Sequence, residues 1–388
     1  MGRLHWALWL FASLASIACG NGSQGQVAPS APAPGPSPSG GPCNLHATPS
    51  NFASQISAAS AGQVICLASG DYGTWDGVDK AITIKAEAAA TPNMQVNFNS
   101  SVGGFILDGM NGMGGTAVNA KNFTIRNSVF AATIDIEATD GNILLEHNTH
   151  DWHAVYRKGS PNGKVRVENN TAAFSGVTIQ NSTFRNGDLD GIHLGAGINI
   201  LNNIFDNLCD VGTNHTDNIQ FEGGTGGRIA GNYVHASLDC ETQGITSYDG
   251  GTVGVIIEDN VVDISRKWGI ELYADKNSII RHNTVLYRPR GCAGGECGYI
   301  DINRKLTDPA GVGTQIYDNI AMITFGNGST GTSTNNMFVR GATKSNFRGM
   351  PVYVGGALPT SYAGFKLAPE SPGKGKASDG TDVGARIP

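Results

Sequence analysis

VIIEDNVVDISRKWGIELYADKNSIIRHNTV, residues 255–285, holds two copies of one short pattern with a different strand between them. Each copy reads apolar-x-x-Asn-x-apolar, IIEDNVV around Asn260 and IIRHNTV around Asn283, 23 residues apart. Moving outward, the same pattern recurs in FTIRNSVF at Asn127, LLEHNTH at Asn148, VRVENNTA at Asn170, VTIQNSTF at Asn181, ILNNIF at Asn203, RIAGNYV at Asn232, QIYDNIA at Asn319 and TNNMFV at Asn336. Most neighbours are 21, 22, 22, 29, 28 and 23 residues apart, a period near 22 with insertions. A strand-turn unit this short cannot bury an apolar face alone, so the copies must stack. Asn suits a tight bend that needs a left-handed backbone. Its amide both donates and accepts, so stacked Asn side chains can bond from rung to rung.

The strand between the copies also recurs, as DGIHLG (190–195), DNIQFE (217–222), QGITSY (243–248), WGIELY (268–273) and GYIDIN (298–303). Ile192, Ile219, Ile245, Ile270 and Ile300 align in one column. Period-two alternation turns them inward, with Leu194, Phe221, Leu272 and Ile302, and leaves Ser247 as the odd member. The expected fold is all-β, a single right-handed parallel β-helix of roughly ten or more coils, in which rungs stand about 4.8 Å apart.

The outward positions of that strand read His193, Gln220, Thr246, Glu271 and Asp301, then Gly195, Glu222, Tyr248, Tyr273 and Asn303. His215, Asp217, Asp249, Asp275, Arg304 and Lys305 flank them. An ordinary solvent face carries scattered Lys, Glu, Thr and Ser. This one gathers carboxylates, aromatics, amides and histidines over five rungs, as a carbohydrate groove does. The segment NHTDNIQFEGG (214–224) is the densest part, where architecture alone requires only Ile219 and Phe221.

Two chemistries fit such a groove. A lyase on a uronic-acid polymer must neutralise the sugar carboxylate, take the C5 proton and release the 4-linked oxygen, and its base is Lys, Arg, His or Tyr. His215, Asp217, Tyr248, Glu271, Arg304 and Lys305 are the expected catalytic group. His193, Gln220, Glu222, Asp249, Trp268, Tyr273, Asp301 and Asn303 are the expected substrate contacts. Asp217, Glu222, Asp249 and Glu271 supply the hard oxygen ligands that a calcium ion takes. A glycoside hydrolase would instead use two carboxylates, and Glu271 and Asp301, one rung apart, suit the shorter, retaining separation.

The repeat resembles the right-handed parallel β-helix superfamily of pectate-lyase-like proteins from about Cys43 to the C-terminus. AGQVICLASGDYGTW (61–75) looks like that family's first coil, and ASDGTDVGA (377–385) resembles a tail common in its bacterial members. The resemblance implies a polysaccharide-degrading enzyme, with elimination on uronic acids ahead of hydrolysis. The Asp-Asp, Gly-His-Gly and Arg-x-Lys of the polygalacturonase-type hydrolases are missing, as is the Asp-Pro-His of alginate epimerases. A non-catalytic glycan-binding or structural β-helix is the reading from another class.

Residues 1–19 read as an export signal: Arg3, an apolar run over 4–14, then small residues before Cys19. The signal resembles that of bacterial lipoproteins, which implies lipidation at Cys19, although Ser16 stands where Leu is commonest. Simple cleavage and release is the alternative. Residues 20–42, almost all Gly, Ser, Ala, Pro, Asn and Gln, form a tether, and 43–388 form the folded domain.

Subtracting Cys19 from seven cysteines leaves six, suited to an oxidising compartment. Local spacing pairs Cys43 with Cys66, Cys209 with Cys240 and Cys292 with Cys297. A net charge of −6 and the absence of any Lys/Arg cluster argue against nucleic acid as a partner. The expected protein is an exported monomer in the cell envelope or outside it. It meets a polysaccharide, and a membrane only through its lipid.

Overall fold

The computed structural model describes residues 41–137, 141–153, 162–168, 176–195, 197–208, 216–235, 242–264, 268–286, 288–292, 295–305, 307–341 and 343–388, with backbone alone at 194, 288–292 and 295–297. Cys19, the signal and nearly all of the tether lie outside them. So do Asn170, Cys209, His215 and Cys240, together with the side chains of Cys292 and Cys297.

The chain winds as a right-handed parallel β-helix with three faces per coil. The first face is a thirteen-stranded parallel sheet that runs from Leu45–Ala47 to Gly331–Thr334. Its strands end at the Asn corner, and a short second-face strand follows, such as Thr183–Arg185 or Val261–Asp263. The third face carries the aligned strand, in Val165–Glu168, Ile192–Leu194, Thr216–Phe221, Thr242–Thr246, Trp268–Tyr273, Tyr299–Asn303 and Met322–Phe325.

The third-face register is the one the sequence alignment requires. Ile192 pairs with Ile219, Ile219 with Ile245, Ile245 with Ile270 and Ile270 with Ile300. All five are fully buried. Ser247 is buried too, and its hydroxyl accepts the Tyr273 N–H at 2.8 Å, so the polar member of an apolar column has its partner.

At the Asn corner two adjacent residues divide the work expected of one. Asn127, His147, Asn181, Asn202, Asp259, His282, Asp318 and Asn335 take the left-handed backbone, with φ between 50° and 59°. The residue after each forms the ladder. The Asn203, Asn232, Asn260, Asn283 and Asn319 N–H groups donate in turn to the side-chain oxygen one rung on, at 2.8–3.1 Å. Ser128 and Ser182 hold this position beside Asn127 and Asn181, so those two copies are bend residues and not ladder residues.

In VRVENNTA, Val165–Glu168 lies on the third face, with Arg166 opposite His193, and the next ladder residue after Asn148 is Ser182, 34 residues on, so the described part of this copy is a third-face strand and Asn170 lies outside the described residues. A four-residue apolar alternation looks alike on either face.

The first coil and the outside of the second face are both covered. At the start, the helix Phe52–Ala58 lays Phe52 against Tyr72 and Trp75. Lys80 donates to the Ile56 and Ala59 carbonyls near the end of that helix, at 2.9 and 2.7 Å. The Cys43–Cys66 disulfide joins the first two rungs across a Cα separation of 5.6 Å. The last forty residues leave the coil and pack on the outside of the second face, where Phe365, Val383 and Ile387 cluster with Val261, Ile320 and Met337.

Candidate functional site

The third-face register aligns one outward column across eight rungs: Thr116, Asp135, Arg166, His193, Gln220, Thr246, Glu271 and Asp301, with Thr324 beyond them. Two polar centres stand on it.

The first is built on His193. Its Nδ1 lies 3.0 Å from the carboxylate of the fully buried Asp190, and its Nε2 lies 2.6 Å from Glu222, whose side chain is half exposed. Asp190 is fixed from below by the Asp217 N–H at 2.8 Å and by the Asn162 amide at 3.1 Å. Burial disfavours the imidazolium, but the hydrogen bonds and charges of Asp190 and Glu222 outweigh it and lift His193 to about 10. His193 is therefore a cation at neutral pH. Its hydrogen bond in turn holds Glu222 below the usual carboxylate range. One rung away, Arg166 binds Asp135 at 2.7 Å and also Glu168.

The second centre surrounds Tyr248 and Lys305. The Lys305 ammonium lies 3.8 Å from the centre of the Tyr248 ring and 2.9 Å from Asp249. The other Asp249 oxygen accepts the Gln220 amide at 2.7 Å. Tyr273 meets Tyr248 edge to face at 4.9 Å. Burial, and then the charge and hydrogen bonding of Glu271, raise the Tyr273 hydroxyl well above the ordinary phenol value, so it stays protonated. Tyr248 is 44% exposed, against 8% for Tyr273, and is the phenol open to the groove. A cavity of about 260 Å³ opens beside Lys305, between Asp249, Gly251, Lys276 and Asp308.

Other expected residues lie deeper. Asp217 is 1% exposed and sits beneath the face, where its backbone braces Asp190. Glu271 and Asp301 are register neighbours at 1% and 3% exposure. Asp301 is held by Thr324 and by Asn303, the latter at 3.1 Å. The Arg304 guanidinium turns to the Asp308 carbonyl at 3.3 Å, and Trp268 is half-buried at the start of its strand beside Tyr299. Asp217, Glu222, Asp249 and Glu271 do not gather. Among the described residues no three His, Cys, Asp or Glu side chains converge as a metal site, so no chemical step is routed through calcium.

Asp190 and Arg166 are the residues the sequence reading missed. Asp190 opens the aligned DGIHLG strand three residues before His193, which is a legible signal. Arg166 was hidden by the assignment of its strand to the Asn corner.

No family model and no curated protein matches the chain. Among solved structures, the PL6 family alginate lyase AlyGC is similar with a TM-score of 0.53 and 13% identity, over 87% of this chain and 58% of that one. The chain thus spans 58% of the length of that lyase. The PL6 family polysaccharide lyase Pedsa3628 from Pseudopedobacter saltans gives 0.47 and 13%, over 89% and 96% of the two chains. Pectate lyase Pel9A gives 0.42 and 14%, over 89% and 97%. At these identities the likeness is one of fold, the parallel β-helix.

Proposed function

We propose that the protein is a polysaccharide lyase that cleaves a uronic-acid-containing polymer by β-elimination, with the sugar chain lying along the third face. The observation that carries this reading is the pairing of an open phenol with a cation at Tyr248 and Lys305, on the face the repeat stacks into a groove. A uronate carboxylate placed against Lys305 is neutralised, which makes the adjacent C5 proton easier to remove. Tyr248 enters the step as its phenolate and takes that proton on its oxygen, the C5–H electrons form the C4–C5 double bond, and the C4–O4 bond breaks. O4 leaves with a proton returned from the same hydroxyl. Asp249 holds the ammonium in place and is itself held by the Gln220 amide.

The hydrolase reading has less support. Glu271 and Asp301 are the right distance apart in register, but both are buried and neither faces open space where an anomeric carbon could sit. Export through the N-terminal signal, with lipidation at Cys19, belongs to this proposal and places the enzyme where such polymers occur.

The test is the ultraviolet absorbance of unsaturated uronate product, with reducing ends assayed in parallel, on alginate, pectate, glucuronan and glycosaminoglycans with and without calcium. Absorbance that rises in the wild type and falls by a factor of about 10² or more in Tyr248→Phe is the expected result. Reducing ends without absorbance would indicate hydrolysis, and silence in both assays would indicate a binding protein.

A further inference from the structure

The His193 centre stands on the same groove as Tyr248 and Lys305 and plays no part in the elimination described above. The buried Asp190 fixes the imidazole from behind through Nδ1, so its orientation is set from beneath the groove. Its Nε2 points outward, and the group it meets there is Glu222 at 2.6 Å. Glu222 stands one rung further on and reaches back to His193. This is its one hydrogen bond among the described residues, and its side chain is 50% exposed. The Glu222 end of the pair is open to solvent, so its carboxylate can be exchanged for another while the imidazole stays in place. Arg166 lies opposite His193 in register, with its guanidinium held by Asp135 and Glu168.

We propose that His193 Nε2 is a carboxylate-binding subsite for a second uronic-acid residue of the polymer, and that Glu222 occupies it in the free protein as a stand-in for the substrate's carboxylate. The proposal rests on the uronate reading above. His193, Gln220 and Thr246 are consecutive in register, so the subsite lies two rungs from the rung that carries Tyr248. A rung of about 4.8 Å is comparable to the length of one pyranose residue. The bound carboxylate therefore belongs to a sugar about two residues from the one that is cleaved. Arrival of the polymer swaps one carboxylate for another on a fixed imidazolium, so the subsite selects for charge at that sugar and excludes neutral residues.

The experiment uses the full chain with ¹⁵N-labelled histidine in the Tyr248→Phe background, which keeps the ligand intact. It is titrated with hexamers of galacturonate, mannuronate and guluronate, and with neutral cellohexaose. The expected result is that an oligouronate moves the His193 Nε2 resonance while its Nδ1 stays in place, and that cellohexaose moves neither. Glu222→Gln removes the resident competitor and is expected to tighten oligouronate binding about two- to fivefold, the fold-change equivalent to one ion pair with a solvent-exposed partner. A weaker oligouronate affinity in Glu222→Gln, an immobile Nε2 resonance in the presence of bound oligomer, or no binding of any of the three hexamers would each overturn the proposal. The lyase reading fails separately: a wild-type protein that shifts at His193 yet forms no unsaturated product keeps the subsite and loses the elimination.

Discussion

Lys164 and His150 show how one residue's surroundings set its chemistry. His150 occupies the phenylalanine column inside the second face, stacked between Phe130 and Phe184 at 4.2 and 4.5 Å, and burial holds it well below its ordinary value, so it is a neutral aromatic plate. Lys164 is fully buried, its ammonium donating to the Trp152 carbonyl at 2.9 Å and lying 4.0 Å from the centre of the Trp152 ring. Burial pulls Lys164 down from 10.5 to about 7. Between those values the unfolded chain binds more protons than the folded one, so stability rises with pH there, and the cost of the buried charge is full below about pH 7. Lys164→Met is therefore expected to stabilise the protein relative to wild type at about pH 6, and the gain should shrink by about pH 9. Denaturant midpoints of both proteins at the two pH values measure it. Neither residue belonged to the expected site, because a Lys or His inside a solenoid cannot be told from a surface one until the coil closes around it.

At the scale of the element, the corner needs two residues because its two demands conflict. A bend residue spends its backbone on a positive φ, and the ladder residue must present its N–H to one rung and its amide to another. Asn202 and Asn203 are neighbours of the same type with these different tasks. Asn202 has φ 55°, whereas Asn203 is buried, donates to the Ile179 carbonyl and accepts the Ser182 N–H, both at 2.9 Å. Asn202→Gly should change stability by only a few tenths of a kcal/mol, because Gly adopts the same φ freely. Asn203→Gly strands buried partners on both rungs and should cost on the order of 3 kcal/mol. Equilibrium unfolding of the two variants distinguishes the roles. The Asn repeat was legible as a repeat, but which Asn bends and which ladders depends on the position of the first-face strand, and FTIRNSVF and ILNNIF are offset from each other by one residue.

Over the whole molecule, the coil ends and the outer surface decide stability. A stack of rungs holds its core by nearest-neighbour contacts, so exposed ends are its weak points. The N-terminal helix and the Cys43–Cys66 bond close one end. Along the second face the tail is clamped by Arg386, which binds Asp259 through two nitrogens at 2.9 and 2.6 Å, and by Ser378 on Asp318. Val261 and Ile320 would otherwise face water. Deletion of residues 377–388 is expected to lower the thermal midpoint and to bring on binding of a hydrophobic dye before global unfolding, while the third face keeps the proposed lyase activity. Dye fluorescence and product formation measured across the same temperature ramp check both halves.

The sequence by itself determined the β-helix, the isoleucine column and the faces to which His193, Tyr248, Glu271 and Asp301 belong, because strand alternation and a repeating corner leave the stack one register. Tertiary structure alone decided which of those polar groups stay open to the groove. Periodicity says that a side chain points outward, but whether it is then covered depends on neighbours from other rungs. Asp190 is sealed beneath His193, Tyr273 bonds Glu271, and Lys305, 56 residues from Asp249 in the chain, closes onto it and onto the open ring of Tyr248.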